Sequence, residues 1–176
     1  MNENHAKLMP SPEWAAYIQD EVLPQATAGV ELGTDLLELG PGPGAATAWL
    51  RRRVGRLAGR FAGTNVEVVH GDAAVLGYPD ASFDTVATCT MLHHVPTRAL
   101  QDKVLAEAFR VLRPGGTFLG SDSLPSDDLH QFHEGDTCNP VEPAAFLTRL
   151  QTVGFAAITL HVSYHLVFTA RKESTS

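Results

Sequence analysis

The sequence is poor in cysteine and lacks long apolar runs. Its two cysteines, Cys89 and Cys138, form no CxxC pair, which argues against a disulfide framework or a cysteine-rich zinc site and predicts two free thiols. No apolar stretch approaches the roughly 18 residues that span a bilayer. The first residues lack the basic and apolar regions of a secretory signal. We therefore expect a cytoplasmic protein with no membrane partner.

Basic residues are fewer than acidic ones. The chain has 13 Lys and Arg against 20 Asp and Glu, a net charge of -7, which disfavours nucleic acid as the main partner. Arginines concentrated in residues 51–60 are typical of a solvated helix face, with a phosphate site as the alternative. A length of 176 residues, 44% of them hydrophobic and 19% charged, predicts one folded domain.

Short apolar runs alternate with helical patterns along the chain. Residues 35–39 (DLLEL) are predicted to form a buried strand and residues 45–57 a helix, joined by the turn GPGPG. Further strands are predicted at residues 65–70, 83–90 and 117–121 and as a hairpin within 156–170, and further helices at residues 11–24, at 97–112 and from Pro143 to Gly154. This alternation predicts a doubly wound α/β fold, with a mostly parallel sheet, helices on both faces and an antiparallel last strand.

In such sheets ligands bind beyond the carboxyl ends of the strands, which here are residues 40–44, 71–72, 89–94 and 121–123. The glycine turn lets a ligand approach the backbone. Gly40, Gly42 and Ala45 also fit the dinucleotide pattern G-x-G-x-x-A, so the turn alone does not separate nucleotide cofactors. Glu38, two residues before the turn, would suit a cationic ligand and repel a pyrophosphate.

Five sequence blocks carry a family resemblance. They are LLELGPGPG (36–44), VVHGDA (68–73), YPDASFDTV (78–86), MLHHVP (91–96) and EAFRVLRPGG (107–116). Together they resemble the class I S-adenosylmethionine-dependent methyltransferases, and more narrowly the small-molecule type 11 group. The resemblance implies a Rossmann-like fold, S-adenosyl-L-methionine as cofactor and a small-molecule methyl acceptor. It divides the single domain into a helical cap (1–34), a cofactor-binding core (35–123) and a substrate-side loop, helix and terminal hairpin (124–176).

The resemblance also assigns the cofactor contacts. Glu38 would bind the ammonium group of the cofactor, directly or through water, and the glycine backbones would approach its methionine and ribose portions. Asp72 would accept the adenine amino group. The residues expected to contact the cofactor are Glu38, Gly40, Gly42, Gly44, Asp72, Ala73, Cys89 and Thr90.

The substrate side is expected to contain histidines. His93 and His94 lie where the family faces its acceptor, and a histidine can act as a base or only orient the acceptor. Methyl transfer can proceed by positioning in a dry site, so we assign no catalytic residue. Residues 121–139 are expected to form part of the acceptor pocket. Within them His130 and His133 give HxxHE, which matches neither HExxH nor HxxEH, so we predict no metal site.

One part of the family pattern is missing. The family expects a second strand about 20 residues past the glycines, ending in an acid that binds the ribose hydroxyls. Residues 39–66 contain no Asp or Glu, and that strand is missing between residues 54 and 61. Three explanations stay open: residues are absent from this sequence, the chain is a shortened variant, or the sheet has re-paired. In the last case residues 66–70 would lie beside the first strand and Asp72 near the ribose.

The missing acid leaves a second function open. The chain could be a catalytically silent methyltransferase-like domain that binds a metabolite or a protein. A nicotinamide-dependent oxidoreductase is a third hypothesis, weakened by Glu38 and by the block RVLRPGG. The oligomeric state and the acceptor stay open.

Overall fold

The computed structural model describes residues 2–54 and 67–174, apart from the side chains of residues 4 and 5. The described strands are β1 (Leu36–Leu39), β2 (Phe83–Cys89), β3 (Leu112–Asp122), β4 (Ala156–Val162) and β5 (Leu166–Arg171). They form one open sheet in the order β1-β2-β3-β5-β4. The first three strands are parallel, whereas β5 is antiparallel to both β3 and β4.

The described helices are α1 (Glu3–Leu8), α2 (Pro12–Ala16), α3 (Leu23–Ala26), α4 (Ala45–Leu50), α5 (Arg98–Val111), α6 (Asp127–Phe132) and α7 (Pro143–Val153). A π-helical segment, Tyr17–Val22, joins α2 to α3 without a break, and a 3-10 turn covers Leu92–His94. None of these helices has the length and apolar character needed to cross a bilayer.

Both faces of the sheet are covered by helices. In each central strand neighbouring residues point to opposite faces, and both sets are buried, as expected for a sheet packed on two sides. Val86, Phe118 and Phe168 pack in one cluster with α5 and α7, whereas Ala87, Leu119 and Val167 pack in another with the N-terminal helices and α4. The predicted Rossmann-like α/β fold is confirmed.

Capping residues set the helix boundaries that the sequence predicts. The hydroxyl of Ser11 accepts the Trp14 N–H at 3.1 Å, and that of Thr97 accepts the Leu100 N–H at 3.2 Å, so α2 and α5 begin directly after these residues. Helix α7 ends before Gly154, whose φ of 114° is favourable for glycine. The predicted terminal hairpin is confirmed as β4 and β5.

The strand predicted at residues 65–70 is wrong for residues 67–70, and residues 65–66 lie outside the described part. Residues 67–70 form no strand, and Val68 and Val69 are 64% and 57% exposed. Valine favours strands through packing on a sheet surface, and this segment reaches none. Within the described residues β1 pairs only with β2, so the structure does not show the re-paired sheet.

Helix α4 is shorter than predicted. It ends at Leu50, and residues 51–54 form turns. The rest of the predicted helix, residues 55–57, lies outside the described part, as do two of the clustered arginines. Arg53 places its guanidinium 3.4 Å from the centre of the Trp49 ring. This cation–π contact gives one of the clustered arginines a packing role.

A partly exposed hydrogen-bond network ties the amino ends of three strands together. The carboxylate of Asp84 on β2 accepts the N–H groups of Thr34 and Asp35 at 2.8 and 3.0 Å and the Arg113 guanidinium at 2.7 Å. Arg113 also donates to the Asp35 carboxylate at 2.9 Å. Partial burial would raise the pKa of Asp84, but these hydrogen bonds lower it to about 2.

The block EAFRVLRPGG, which contains Arg113, has a second structural role through Arg110. Arg110 on α5 donates to the backbone oxygens of Leu76 and Tyr78 at 3.0 and 2.8 Å and to the carboxylates of Asp80 and Glu107. These bonds fix residues 76–80 against α5. The motif therefore stabilises the loop that precedes β2.

We expect Asp84→Asn to lower the free energy of unfolding at neutral pH by about 1–3 kcal/mol, because it removes charge-assisted hydrogen bonds to three donors. In the wild type this stability is present above pH 4 and is lost as the pH falls toward 2, since folded Asp84 holds its charge to a pKa of about 2. Urea unfolding across pH 2–7 measures this. The exposed Asp20→Asn variant is the control, and equal pH profiles for Asp84→Asn and wild type would contradict the prediction.

Candidate functional site

The carboxyl ends of β1 and β2 open onto a cavity of about 410 Å³, which we call the donor cavity after the cofactor-binding role that the sequence resemblance predicts for this edge. Its volume lies in the range of small-molecule sites. Several residues singled out from the sequence line it, namely Glu38, Gly40, Gly42, Cys89, Thr90 and His94. The strand order explains this grouping, because neighbouring parallel strands bring their carboxyl ends to the same edge.

The glycine turn between β1 and α4 is shaped by its backbone. Gly40 has a φ of 63°, and a Cβ at this position would collide with the side chain of Met91. Gly44 has a φ of 89° and directly precedes α4. Both conformations are costly for residues with a Cβ. The turn therefore stays tight and lets Met91 pack against it.

Glu38 is an acid in the wall of the donor cavity. Burial raises its pKa to about 7, although a hydrogen bond donated by the hydroxyl of Thr47 on α4 opposes this shift. None of the ion pairs among residues 2–54 and 67–174 involves Glu38. A desolvated carboxyl group without a cation is costly to ionise. A cationic ligand in the cavity would favour its charged form.

Cys89 is unsuited to nucleophilic chemistry. Burial and the neighbouring Glu38 raise the pKa of its thiol to about 12, so the thiolate is rare at neutral pH. Both cysteines are free, as the sequence predicts. The contribution of Cys89 to the donor cavity is therefore shape rather than reactivity.

A second cavity of about 190 Å³ adjoins the first, and we call it the acceptor cavity after the acceptor-binding role predicted for His93 and His94. The two share four wall residues, Met9, Trp14, Thr90 and His94. The remaining walls combine apolar with polar side chains, namely Leu8, Leu129, Phe132, His93, Ser123 and His133. Two molecules bound in these cavities would therefore lie next to each other at these four shared residues.

Thr90 stands in the shared wall with a strained backbone. Its φ of 53° is unusual for a β-branched residue. Its N–H donates to the Ser121 carbonyl oxygen at 2.8 Å, which ties the end of β2 to β3. Such strain persists only where the surroundings enforce it, and it concentrates at functional sites.

His93 is fixed by a buried carboxylate. It is 2% exposed, and its Nδ1 lies 2.6 Å from Oδ1 of Asp122, which is fully buried. Asp122 also accepts the N–H groups of Leu92 and Ser123, both at 2.8 Å. Asp122 belongs to none of the sequence motifs described above. The sequence feature that marks it is an acid at the carboxyl end of a predicted strand, β3. This strand lies beside β2, which precedes His93 and His94.

His133 joins His93 and His94 at the acceptor cavity. Its ring centre lies 5.0 Å from that of His93 and 5.3 Å from that of His94. Burial lowers its pKa below the ordinary histidine value. The sequence pattern grouped His133 with His130, but His130 is exposed and does not line either cavity.

Other residues singled out from the sequence lie apart from the cavity walls. Asp72 accepts the Ala74 N–H at 2.8 Å and pairs with Val75 in an isolated bridge. Neither Asp72 nor Ala73 lines the donor or the acceptor cavity, and Gly44 contributes only the turn. Their cofactor contacts stay predictions.

The N-terminal segment covers both cavities. Met9 and Trp14 line the two, and Pro10 lines the donor cavity. The side chain of Asn2 donates to the carbonyl oxygens of Phe132 and Glu134 at 2.7 and 3.2 Å. The segment is thereby joined to the end of α6.

The chain is similar to known proteins in sequence and in fold. Residues 37–120 match the family described as a methyltransferase domain. The chain is 32% identical over 153 residues to a "Probable S-adenosylmethionine-dependent methyltransferase" of Mycolicibacterium smegmatis, covering 77% of this chain and 57% of the relative. It is 33% identical over 132 residues to the fatty-acid O-methyltransferase of the same organism, covering 66% and 47%. The chain thus spans about half the length of these relatives.

Among solved structures, the PH0226 protein from Pyrococcus horikoshii OT3 is similar in fold. The two structures superpose with a TM-score of 0.76 at 17% sequence identity. The match covers 98% of this chain and 100% of the Pyrococcus protein. At this identity the likeness extends to the fold alone.

The buried Glu38 generates a stability prediction. Its pKa rises from 4.5 to about 7 on folding, so the folded state holds a proton that the unfolded state has lost, and the free energy of unfolding falls as the pH rises between these values. Glu38→Gln should remove this fall and be relatively more stable at pH 8 than at pH 5. Urea unfolding of the ligand-free protein at both pH values checks it, and a pH-independent difference between variant and wild type would contradict it.

Proposed function

Since the chain belongs to the class I S-adenosylmethionine-dependent methyltransferases of the type 11 group, we propose that it transfers a methyl group from S-adenosylmethionine to a small apolar acceptor. The observation that carries the proposal is a buried acid without a cation, Glu38, in a cavity that shares a wall with a second, largely apolar one. A cytoplasmic location and the absence of a nucleic-acid partner stay predictions.

The donor cavity fits the amino acid end of the cofactor. The Glu38 carboxylate would bind its ammonium group, and the turn at Gly40 and Gly42 leaves room for a ligand close to the backbone. The cofactor supplies an electrophilic methyl group on a sulfonium. Glu38 is the only acidic residue among the described residues of this wall. With Glu38 bound to the ammonium group, no other described wall residue offers the ribose hydroxyls a carboxylate. That lack should weaken binding by about 1.5–3 kcal/mol.

The acceptor cavity fits a small apolar molecule with one polar, nucleophilic end. Its apolar walls would exclude water, and the histidines border the polar end. The resemblance to a fatty-acid O-methyltransferase supports an oxygen nucleophile. Thr90, His94 and Trp14 would position the two molecules, which is sufficient for in-line transfer to a reactive acceptor.

A catalytically silent binding domain is the second candidate. It is favoured by the placement of Asp72 away from both cavities and by the single acid in the described donor wall. In that case the cavity would bind a cationic metabolite without methyl transfer.

Titration with S-adenosylhomocysteine, which carries the same ammonium group, tests the donor site. Wild-type affinity should rise about tenfold from pH 6 to pH 8, because Glu38, with a pKa of about 7, must release its proton to bind the ammonium. Glu38→Gln should bind roughly tenfold to a hundredfold more weakly at pH 8 and lose this pH dependence. Isothermal titration calorimetry in buffers of different ionisation enthalpy measures both the affinity and the proton released.

The exposed Glu31→Gln variant is the matched control and should bind as the wild type does. Transfer of tritium from methyl-labelled S-adenosylmethionine to a short-chain fatty acid or a phenol then measures activity. Transfer by the wild type and its loss in Glu38→Gln would support the enzyme. Failure of the wild type to bind at millimolar S-adenosylhomocysteine would overturn the proposal.

A further inference from the structure

We propose that His93, His94 and His133 form a binding site for a divalent transition metal ion of the zinc class at the acceptor cavity. One ring nitrogen from each residue lies within 4.8 Å of the others. Nitrogens bound to one zinc ion at about 2.1 Å stand about 3.4 Å apart. The separations therefore need to shorten by at most about 1.4 Å for the three nitrogens to share one ion.

Two of the three rings are already oriented as metal ligands are. A ligating histidine usually donates its second N–H to a carboxylate or a backbone carbonyl. Nδ1 of His93 lies 2.6 Å from the Asp122 carboxylate, and Nδ1 of His133 lies 2.7 Å from the Leu129 carbonyl oxygen. Since both partners only accept hydrogen bonds in these states, the Nδ1 atoms carry the protons. The Nε2 atoms are then the ones with a lone pair for a metal.

The donor set selects the class of ion. Three imidazoles without a carboxylate or thiolate suit zinc, cobalt, nickel or copper and are poor ligands for magnesium or calcium. Three protein ligands leave a further coordination position for water or substrate. The histidines line the acceptor cavity, so, if the proposed function holds, this position would bind the acceptor's oxygen.

The chain offers a matched pair of variants for the test. His133 and His130 each place Nδ1 near the carbonyl oxygen four residues earlier, at 2.7 and 2.8 Å, but only His133 belongs to the cluster. The full-length protein is stripped with a chelator and titrated with Co²⁺, read by its visible absorption bands, and with Zn²⁺ by calorimetry. We expect one equivalent of each, with affinity lowered at least about a hundredfold in His133→Gln and unchanged in His130→Gln.

A second variant controls for the possibility that a substitution lowers metal affinity through misfolding. His94 is partly exposed, and His94→Gln should also lose the cobalt spectrum while keeping the far-UV circular dichroism of the wild type. Equal metal affinity in the wild type and His133→Gln, or equal loss in His130→Gln, would overturn the proposal. Metal binding is measured without cofactor and S-adenosylhomocysteine binding without metal, so failure of this site and failure of the donor site are told apart.

Discussion

The carboxylate of Asp122 holds together the end of the sheet on which both cavities depend. A buried ionised carboxylate is tolerated only when hydrogen bonds replace its lost hydration. Asp122 has three such bonds, from the N–H groups of Leu92 and Ser123 and from the ring of His93. Leu92 and His93 follow β2, whereas Asp122 and Ser123 lie at the end of β3. The bonds therefore fix the loop after β2 to the end of β3. The walls that carry Thr90 and the histidines are thereby held in place.

Glu38, at the end of β1, stands in contrast to Asp122. Its carboxyl group receives a hydrogen bond from Thr47, and burial raises its pKa to about 7. One edge of the sheet therefore contains two different acids. Asp122 accepts three hydrogen bonds and organises the structure, whereas Glu38 is poorly solvated and favours a cationic ligand. Acids whose environments differ in this way often separate structural from functional roles. Under the proposed function, ligand recognition would lie on the β1 side of this edge, and structural support lies on the β3 side.

The sequence predicted what local chemistry determines. The helix starts near Ser11 and Thr97, the helix end at Gly154 and the apolar strands each follow from a few neighbouring residues. The exposed conformation of residues 67–70 was not predictable, because strand propensity is realised only where a sheet edge is available. The partnership of Asp122 with His93, and that of His133 with the other histidines, join segments far apart in sequence. Only the folded arrangement of β2, β3 and α6 brings them together.

The N-terminal segment links the two cavities mechanically. Met9 and Trp14 contribute to both walls, so displacement of this segment would open both cavities at once. The same segment is joined through Asn2 to the carbonyl oxygens of Phe132 and Glu134, the residues on either side of His133. Asn2 therefore ties the N-terminal segment to the backbone on both sides of His133, the third histidine of the cluster. Met9 and Trp14, which line both cavities, and the Asn2 contacts beside His133 belong to this one segment, so the dry site that the proposed methyl transfer needs and the placement of His133 would depend on the same part of the chain.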